Sequence, residues 1–285
     1  MFGYVGGKNK QANWISNQFQ SNLTSYAECF GGAMWVYWKT NILDQKYNPN
    51  FKEAHYNDID PLNYCTFKSL KDIEFLQFAT EYCKDWFIND IERVNRYRLE
   101  LIELKDNSEY NWEEVLKFLY VIPHLYNNDL NVINCEIKVY GSDTNPVNKR
   151  FLNSKTLRQL SNPSIRRKLN LLKVHNKDFI DFIDSIDVDL LYVDPPYEGT
   201  PIDHYRLGHN IFQKEEHLKL ADYLNNYKGR FILSYYHFDY IEDIYPTDKY
   251  YYLEKEYSVG TRKAVKKTEV LILNYKPSDS DILKF

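Results

Sequence analysis

The chain has 285 residues, 44% hydrophobic and 27% charged, enough to bury a sizeable core as one large domain or one domain carrying an insertion. No apolar stretch approaches the ~20 residues that span a bilayer and no signal-peptide pattern opens the chain, which argues against membrane and secreted classes. A net charge of −4 argues against coating nucleic acid by charge alone.

Four cysteines (Cys29, Cys65, Cys83, Cys135) lie scattered with no Cys-x-x-Cys pair. They indicate neither a zinc site nor a disulfide framework, and a reducing cytoplasm fits them. The 26 tyrosines accompany much Asn, Lys, Ile and Phe, as A+T-rich codons produce, and carry no functional weight.

Residues 1 to about 60 hold glycine-rich turns and short strand-like runs. Tyr4-Val5-Gly6-Gly7-Lys8 comes first, with a helix expected from near Gln11. Adjacent glycines allow backbone to approach a ligand, and Lys8 could then pair with a carboxylate or phosphate. Tyr26-Ala27-Glu28-Cys29-Phe30-Gly31-Gly32-Ala33 reads as a strand running into a tight glycine turn and the apolar helix Met34–Trp38, the first unit of a nucleotide-binding α/β fold. In Tyr56-Asn57-Asp58-Ile59-Asp60, an acid ending the second strand could accept ribose hydroxyls; Asp58 or Asp60 would serve equally as a helix cap.

From about 66 to 126 the pattern is helical: Phe67, Leu70, Phe75, Phe78 and Tyr82, then Ile88, Ile91, Val94, Leu101 and Ile102, then Val115, Leu116 and Leu119 up to Pro123. A strand-like run follows at Cys135–Tyr140. Between Asp143 and Asp178 no acidic residue occurs, against nine basic ones: Lys149, Arg150, Lys155, Arg158, Arg166, Arg167, Lys168, Lys173 and Lys177. A solvated face normally mixes signs, so one-signed density suggests phosphate contacts, although a positive surface without a partner would look the same.

The α/β rhythm returns at about 171, with a helix near 178–186, a strand 188–193, a helix 213–227, a strand 230–235 and a strand pair 249–257 and 268–275. A basic loop 261–267, with Arg262 and Lys263, joins that pair. Asp178-Phe179 could set a carboxylate and a ring against an adenine, or Asp178 could simply cap a helix. The most informative stretch is Asp194-Pro195-Pro196-Tyr197, reached through the apolar run Val188–Val193. A buried parallel strand halted by two prolines sets a carboxylate and an aromatic ring at the edge where α/β sheets bind ligands. Those parts suit a planar base bearing an amino group; a plain strand-ending turn with a core tyrosine has the same residues.

In order, Tyr4-Val5-Gly6-Gly7-Lys8, Glu28-Cys29-Phe30-Gly31-Gly32, Asn57-Asp58-Ile59-Asp60, Asp178-Phe179 and Asp194-Pro195-Pro196-Tyr197 resemble the Dam-type (D12-class, alpha-group) DNA adenine-N6 methyltransferases. The downstream stretches 212–221, 231–235 and 268–275 extend the likeness. Cys29 stands where that family often has proline, and Ala33 where a third glycine is common. Tyr4 lies one residue further forward than the aromatic residue that usually precedes Gly-Gly-Lys.

The resemblance implies an α/β, Rossmann-like methyltransferase fold dependent on S-adenosylmethionine, with a mostly helical target-recognition insertion. Residues 1–61 and 170–285 would be catalytic and 62–169 the insertion. Tyr4, Gly7, Lys8, Glu28, Phe30, Gly31 and Gly32 would line the donor's amino-acid and sulfonium end, Asp58 its ribose, and Asp178 with Phe179 its adenine. Asp194, Pro195, Pro196 and Tyr197 would hold a target adenine flipped out of duplex DNA, with no metal ion required. Lys149, Arg150, Arg158, Arg166, Arg167, Arg262 and Lys263 would contact the DNA. A homodimer on DNA, an RNA base methyltransferase and a catalytically silent DNA-binding relative stay open alongside this reading.

Overall fold

The computed structural model describes residues 7–125, 130, 137, 141–142, 145–146, 149–151, 155–198, 212–259 and 265–277. Seven strands among them form one sheet: β1 (Ser25–Glu28), β2 (Glu53–Asn57), β3 (Leu172–His175), β4 (Leu190–Val193), β5 (Phe231–Tyr236), β6 (Tyr251–Val259) and β7 (Val265–Leu273). Their spatial order is β3-β2-β1-β4-β5-β7-β6. The first five are parallel; β7 runs antiparallel to β5, and β6 antiparallel to β7. The order reverses at β1, flanked by β2 and β4, so the crevice beyond the carboxyl ends of β1 and β4 is where such a sheet admits a ligand.

Alternation along the strands divides the core. Leu191 and Val193 of β4 pack with Ala27, Leu220 and Leu233 on one face, while Leu190 and Tyr192 join Tyr26, Ile232 and Leu271 on the other. With both faces covered, β4 is buried at all four positions, which is why its sequence reads as a continuous apolar run. Asp189 interrupts that run for a local reason. Its Oδ2 accepts from Thr24 N (2.6 Å), Thr24 Oγ1 (2.8 Å) and Ser25 N (3.1 Å), stitching the start of β4 to the start of β1.

Among the described residues eleven α-helices accompany the sheet: α1 (Ala12–Ser16), α2 (Trp35–Lys39), α3 (Pro61–Lys71), α4 (Ile73–Tyr82), α5 (Ile91–Glu103), α6 (Trp112–Val121), α7 (Lys155–Leu160), α8 (Pro163–Leu171), α9 (Phe179–Asp184), α10 (Lys214–Asn226) and α11 (Ile241–Ile244). Their starts are chemically marked. Asp60 accepts from Leu62 N at 2.8 Å with Pro61 at the first helical position, Asp72 accepts from Glu74 N at 2.8 Å, and Asn111 and Glu114 form a reciprocal capping box. Asp60, not Asp58, caps the helix after β2.

Between β2 and β3 the chain makes α3 to α8. These helices share one continuous apolar cluster with the sheet, in which Phe67, Phe75, Trp86 and Tyr120 join Tyr26, Tyr37 and Tyr56. A boundary at residue 62 would cut α3 in its first turn. Strand β7 begins at Val265, so Val265, Lys266 and Lys267 are strand, not loop as expected. The run Cys135–Tyr140 lies outside the described residues except for Ile137. Among the described residues no helix is long and apolar enough to cross a membrane.

Candidate active site

The glycine turn after β1 is shaped by β2. Gly31 N–H donates to Asn57 O (2.7 Å), Gly32 N–H to Asp58 Oδ2 (2.9 Å), and Tyr56 Oη to Gly32 O (3.0 Å). A Cβ on Gly31 would stand 2.2 Å from the Tyr56 ring, and Gly32 adopts φ 46°, so each position favours glycine for its own reason. Asn57, not singled out in the sequence, bridges the neighbouring loops: its Nδ2 donates to Cys29 O and Lys177 O, and its Oδ1 accepts from Lys177 N, all at 3.0 Å.

Asp58 is buried and faces inward. Besides Gly32 N–H it accepts from Asn63 Nδ2 (3.1 Å) and, through Oδ1, from Asp60 N–H (2.8 Å). Burial and the nearby Asp60 charge push its carboxyl up to about 6. Glu28, at the end of β1, is also buried; its Oε1 accepts from Tyr37 N–H (2.9 Å) and Tyr26 Oη (3.0 Å). Burial nevertheless lifts it to about 8. A carboxyl so placed gains from an incoming cation, the chemistry of a donor's ammonium group.

Beyond the turn, Phe30, Phe179 and Phe212 form an aromatic group, with centroids 5.8 Å apart for Phe30–Phe179 and 5.3 Å for Phe30–Phe212. Asp178 is exposed and caps α9, accepting from Ile180 N–H at 3.0 Å. That arrangement leaves it at the surface beside the rings.

The carboxyl end of β4 carries the second part. Lys8 Nζ lies 2.7 Å from Asp194 Oδ1 and 3.6 Å from Glu269 Oε1, and 4.6 Å over the Tyr197 ring. Tyr197 Oη is 3.1 Å from Asp194 Oδ1 and also bonds Glu269 Oε1. The Tyr197 ring is 8% exposed, set against Tyr236 at 4.4 Å and Tyr235 at 5.7 Å, whereas the Asp194 side chain keeps 17%. Lys8 is therefore at Asp194, further along the sheet edge than the glycine turn. Burial would lower its pKa, but Asp194 and Glu269 outweigh that and hold it charged. Burial, aided by Glu269 and opposed by Lys8, lifts Asp194 to about 6.

Glu269 is the residue that sequence reasoning missed. It is fully buried in β7, and its signal was slight: one acid at the head of the apolar run Val270–Leu273. Tyr236 and Tyr257, linked Oη to Oη at 2.6 Å, were likewise not singled out.

The basic window divides. Arg166 donates to the last carbonyls of α3, Leu70 O (2.7 Å) and Lys71 O (2.8 Å), and Arg167 clasps buried Asp44 at 3.2 Å. Arg150 donates to Lys84 O at 2.6 Å with its guanidinium 5.7 Å over Phe87. Lys168 donates to Tyr37 O, Trp38 O and Thr40 O at the end of α2, and burial lowers it to about 8. Arg158 is exposed and Lys149 half-buried. Tyr4, Arg262 and Lys263 lie outside the described residues. A cavity of about 1060 Å³ lies away from Asp194, between α3, the start of α6 and residues 174–177. The carboxylate and ring described above do not line it.

Residues 4–259 match the family described as D12 class N6 adenine-specific DNA methyltransferase. No curated protein matches the chain.

Proposed function

Because the chain belongs to the D12 class N6 adenine-specific DNA methyltransferases, we propose that it moves a methyl group from S-adenosylmethionine to the N6 amino group of an adenine flipped out of a specific duplex sequence. The donor, when bound, supplies an electrophilic methyl on its sulfonium. The residues present fit it: Glu28 is a buried carboxyl suited to an ammonium, the Gly31–Gly32 turn brings backbone close, and Phe30 with Phe179 offers ring faces. Lys8 and, in the segment outside the described residues, Tyr4 complete that side with Gly7. Asp58 takes the ribose, and Asp178 the adenine edge.

In this reading Asp194 acts on the target. Its carboxylate and the Pro195 carbonyl accept from the adenine NH2, favouring a pyramidal nitrogen whose lone pair points at the methyl. Pro196 stiffens the turn, and the Tyr197 ring takes the base face, recovering ~1–3 kcal/mol of the cost of flipping. Both surfaces now face the Lys8 ammonium, so the base enters where that cation stands. Holding the two reactants in line supplies much of the rate. Residues 62–169 read the DNA, with residues 1–61 and 170–285 catalytic. Arg158 and Lys149, with Arg262 and Lys263, are the phosphate contacts this reading favours. Arg150, Arg166 and Arg167 have donors occupied within the protein.

The juxtaposition of Asp194 and Tyr197 at the carboxyl end of β4, next to the strand that leads into the glycine turn, carries the reading. Asp194→Ala should abolish labelled-methyl transfer to adenine-containing duplex while donor binding by calorimetry stays near normal. Near-normal turnover in that variant would remove Asp194 from the mechanism.

A further inference from the structure

Lys8 lies on both surfaces a target base needs, the Asp194 carboxylate and the Tyr197 ring. A second carboxylate stands close by. Glu269 Oε1 faces Lys8 and bonds the Tyr197 hydroxyl, and its Oε2 accepts from Tyr257 Oη at 3.3 Å. Tyr257 Oη in turn bonds Tyr236 Oη, and the Tyr236 ring meets the Tyr197 ring edge to face at 4.4 Å. The contacts close a loop, Tyr197–Glu269–Tyr257–Tyr236–Tyr197, around the tyrosine that would receive the base.

Burying a carboxylate completely is costly, and packing of an edge strand pair does not require it. Such a group stays where it holds several partners in a fixed geometry. We infer that Glu269 is a positioning residue for methyl transfer: it fixes the Tyr197 ring through the hydroxyl and gives the Lys8 ammonium a second carboxylate, so that Asp194 is released to the base. Glu269 does not touch the reacting atoms; it acts through Lys8 and Tyr197. The inference rests on Asp194 being the acceptor for the target amino group.

Among the described residues, the groups facing Asp194 are Lys8 from the N-terminal segment, Tyr26 and Glu28 from β1, Tyr192 from β4, Tyr197 from its own turn, Tyr235 and Tyr236 from β5, and Glu269 from β7. Lys8 and Glu269 are the nearest charges, one pulling Asp194 down and the other pushing it up. Replacing Glu269 by glutamine keeps the shape and removes one charge. Asp194 is then the nearest carboxylate to Lys8 and no longer faces the Glu269 charge, so Asp194 must titrate lower.

The test compares the parent protein with Glu269→Gln. Carboxyl-labelled aspartate, with the Asp194 signal assigned by its loss in Asp194→Asn, is titrated by carbon-13 NMR without donor or DNA. Methyl transfer and S-adenosylmethionine binding are measured alongside. Expected are a lower Asp194 titration, a fall in kcat on the order of 10–100-fold, and donor affinity within about threefold of the parent. Tyr257→Phe removes the Oε2 contact and the bond to Tyr236 while leaving the Oε1 contacts of Glu269 in place; it should lower kcat by a smaller factor and keeps the test alive should Glu269→Gln not fold. An unmoved Asp194 titration, or an unchanged kcat in both variants, overturns the inference. The NMR titration does not depend on turnover, whereas turnover of Asp194→Ala tests the underlying reading separately.

Discussion

Gly31→Ala isolates the tightest contact in the glycine turn after β1. The new methyl would sit 2.2, 2.5 and 2.9 Å from Tyr56 Cε2, Cδ2 and Cζ, against ~3.5–4.0 Å for ordinary carbon contact, so the ring must retreat by more than about 1 Å. It has little room to do so. Tyr56 is fully buried, its centroid is 4.1 Å from that of Phe67, and Phe67 stacks on Trp38 at 6.1 Å. Overpacking of this kind costs about 1–3 kcal/mol, and loss of the Tyr56–Gly32 hydrogen bond adds about 1. The sum, about 3 kcal/mol, corresponds to a fall in Tm of roughly 5 °C. Urea and thermal unfolding would measure it, and calorimetry should show donor affinity falling because the turn is displaced. Tyr56→Leu makes room for the methyl, so in the double variant the two losses should not add. A Gly31→Ala protein within about 0.5 kcal/mol of the parent, or strictly additive losses, would refute the reasoning.

Three further outcomes follow from the same geometry. Tyr197→Phe keeps the ring but loses the hydroxyl contacts to Asp194 and Glu269, so methyl transfer should drop about tenfold. Tyr197→Ala should lose most activity, and equal losses in the two variants would assign the effect to the hydroxyl. Glu28 titrates near 8 when folded against an ordinary 4.5, so the folded state holds a proton the unfolded chain has released, and stability should fall as pH rises from 6.5 to 8, by about 1–2 kcal/mol. Below that window the lowered His55, His175 and His217 act in the opposite sense, and above it Lys168 does; a urea series that is flat across 6.5–8, or unchanged in Glu28→Gln, counts against it. Arg167→Ala should cost about 1–3 kcal/mol of stability by leaving buried Asp44 without its guanidinium, with the salt dependence of DNA binding unchanged. Arg158→Ala should do the reverse, flattening the salt slope by about one phosphate contact, and an exchange of these two phenotypes would reverse the assignment.

Much of the sheet and its turns was legible because their signals are local. An apolar run stopped by Pro195-Pro196 reads as a buried strand, as it is, and the glycine pair at Gly31–Gly32 marks a turn that β2 does impose. Sequence order says nothing of which strand end an N-terminal segment crosses, so the contact of Lys8 with Asp194 had no local signal. Glu269 escaped notice because its partners Lys8, Tyr197 and Tyr257 are brought to it only by the sheet order. One-signed density records charge, not the direction of a side chain. On α8 Arg166 and Lys168 meet the bare carbonyls that helices α3 and α2 leave at their ends, and Arg167 meets the Asp44 carboxylate.

The hydrogen bonds from Thr24 to Asp189 join residues 165 apart, and they fasten the two strands at the centre of the sheet. During synthesis β1 and β2 leave the ribosome well before the strand that will lie between β1 and β5. Until β4 emerges, one whole edge of β1 has no neighbour. Its apolar face is covered sooner, because Tyr37 of α2 stacks on Tyr26 and Phe67 of α3 meets Tyr56 of β2. Shortening the excursion between β2 and β3 would uncover part of that face and leave the early strands more open to aggregation.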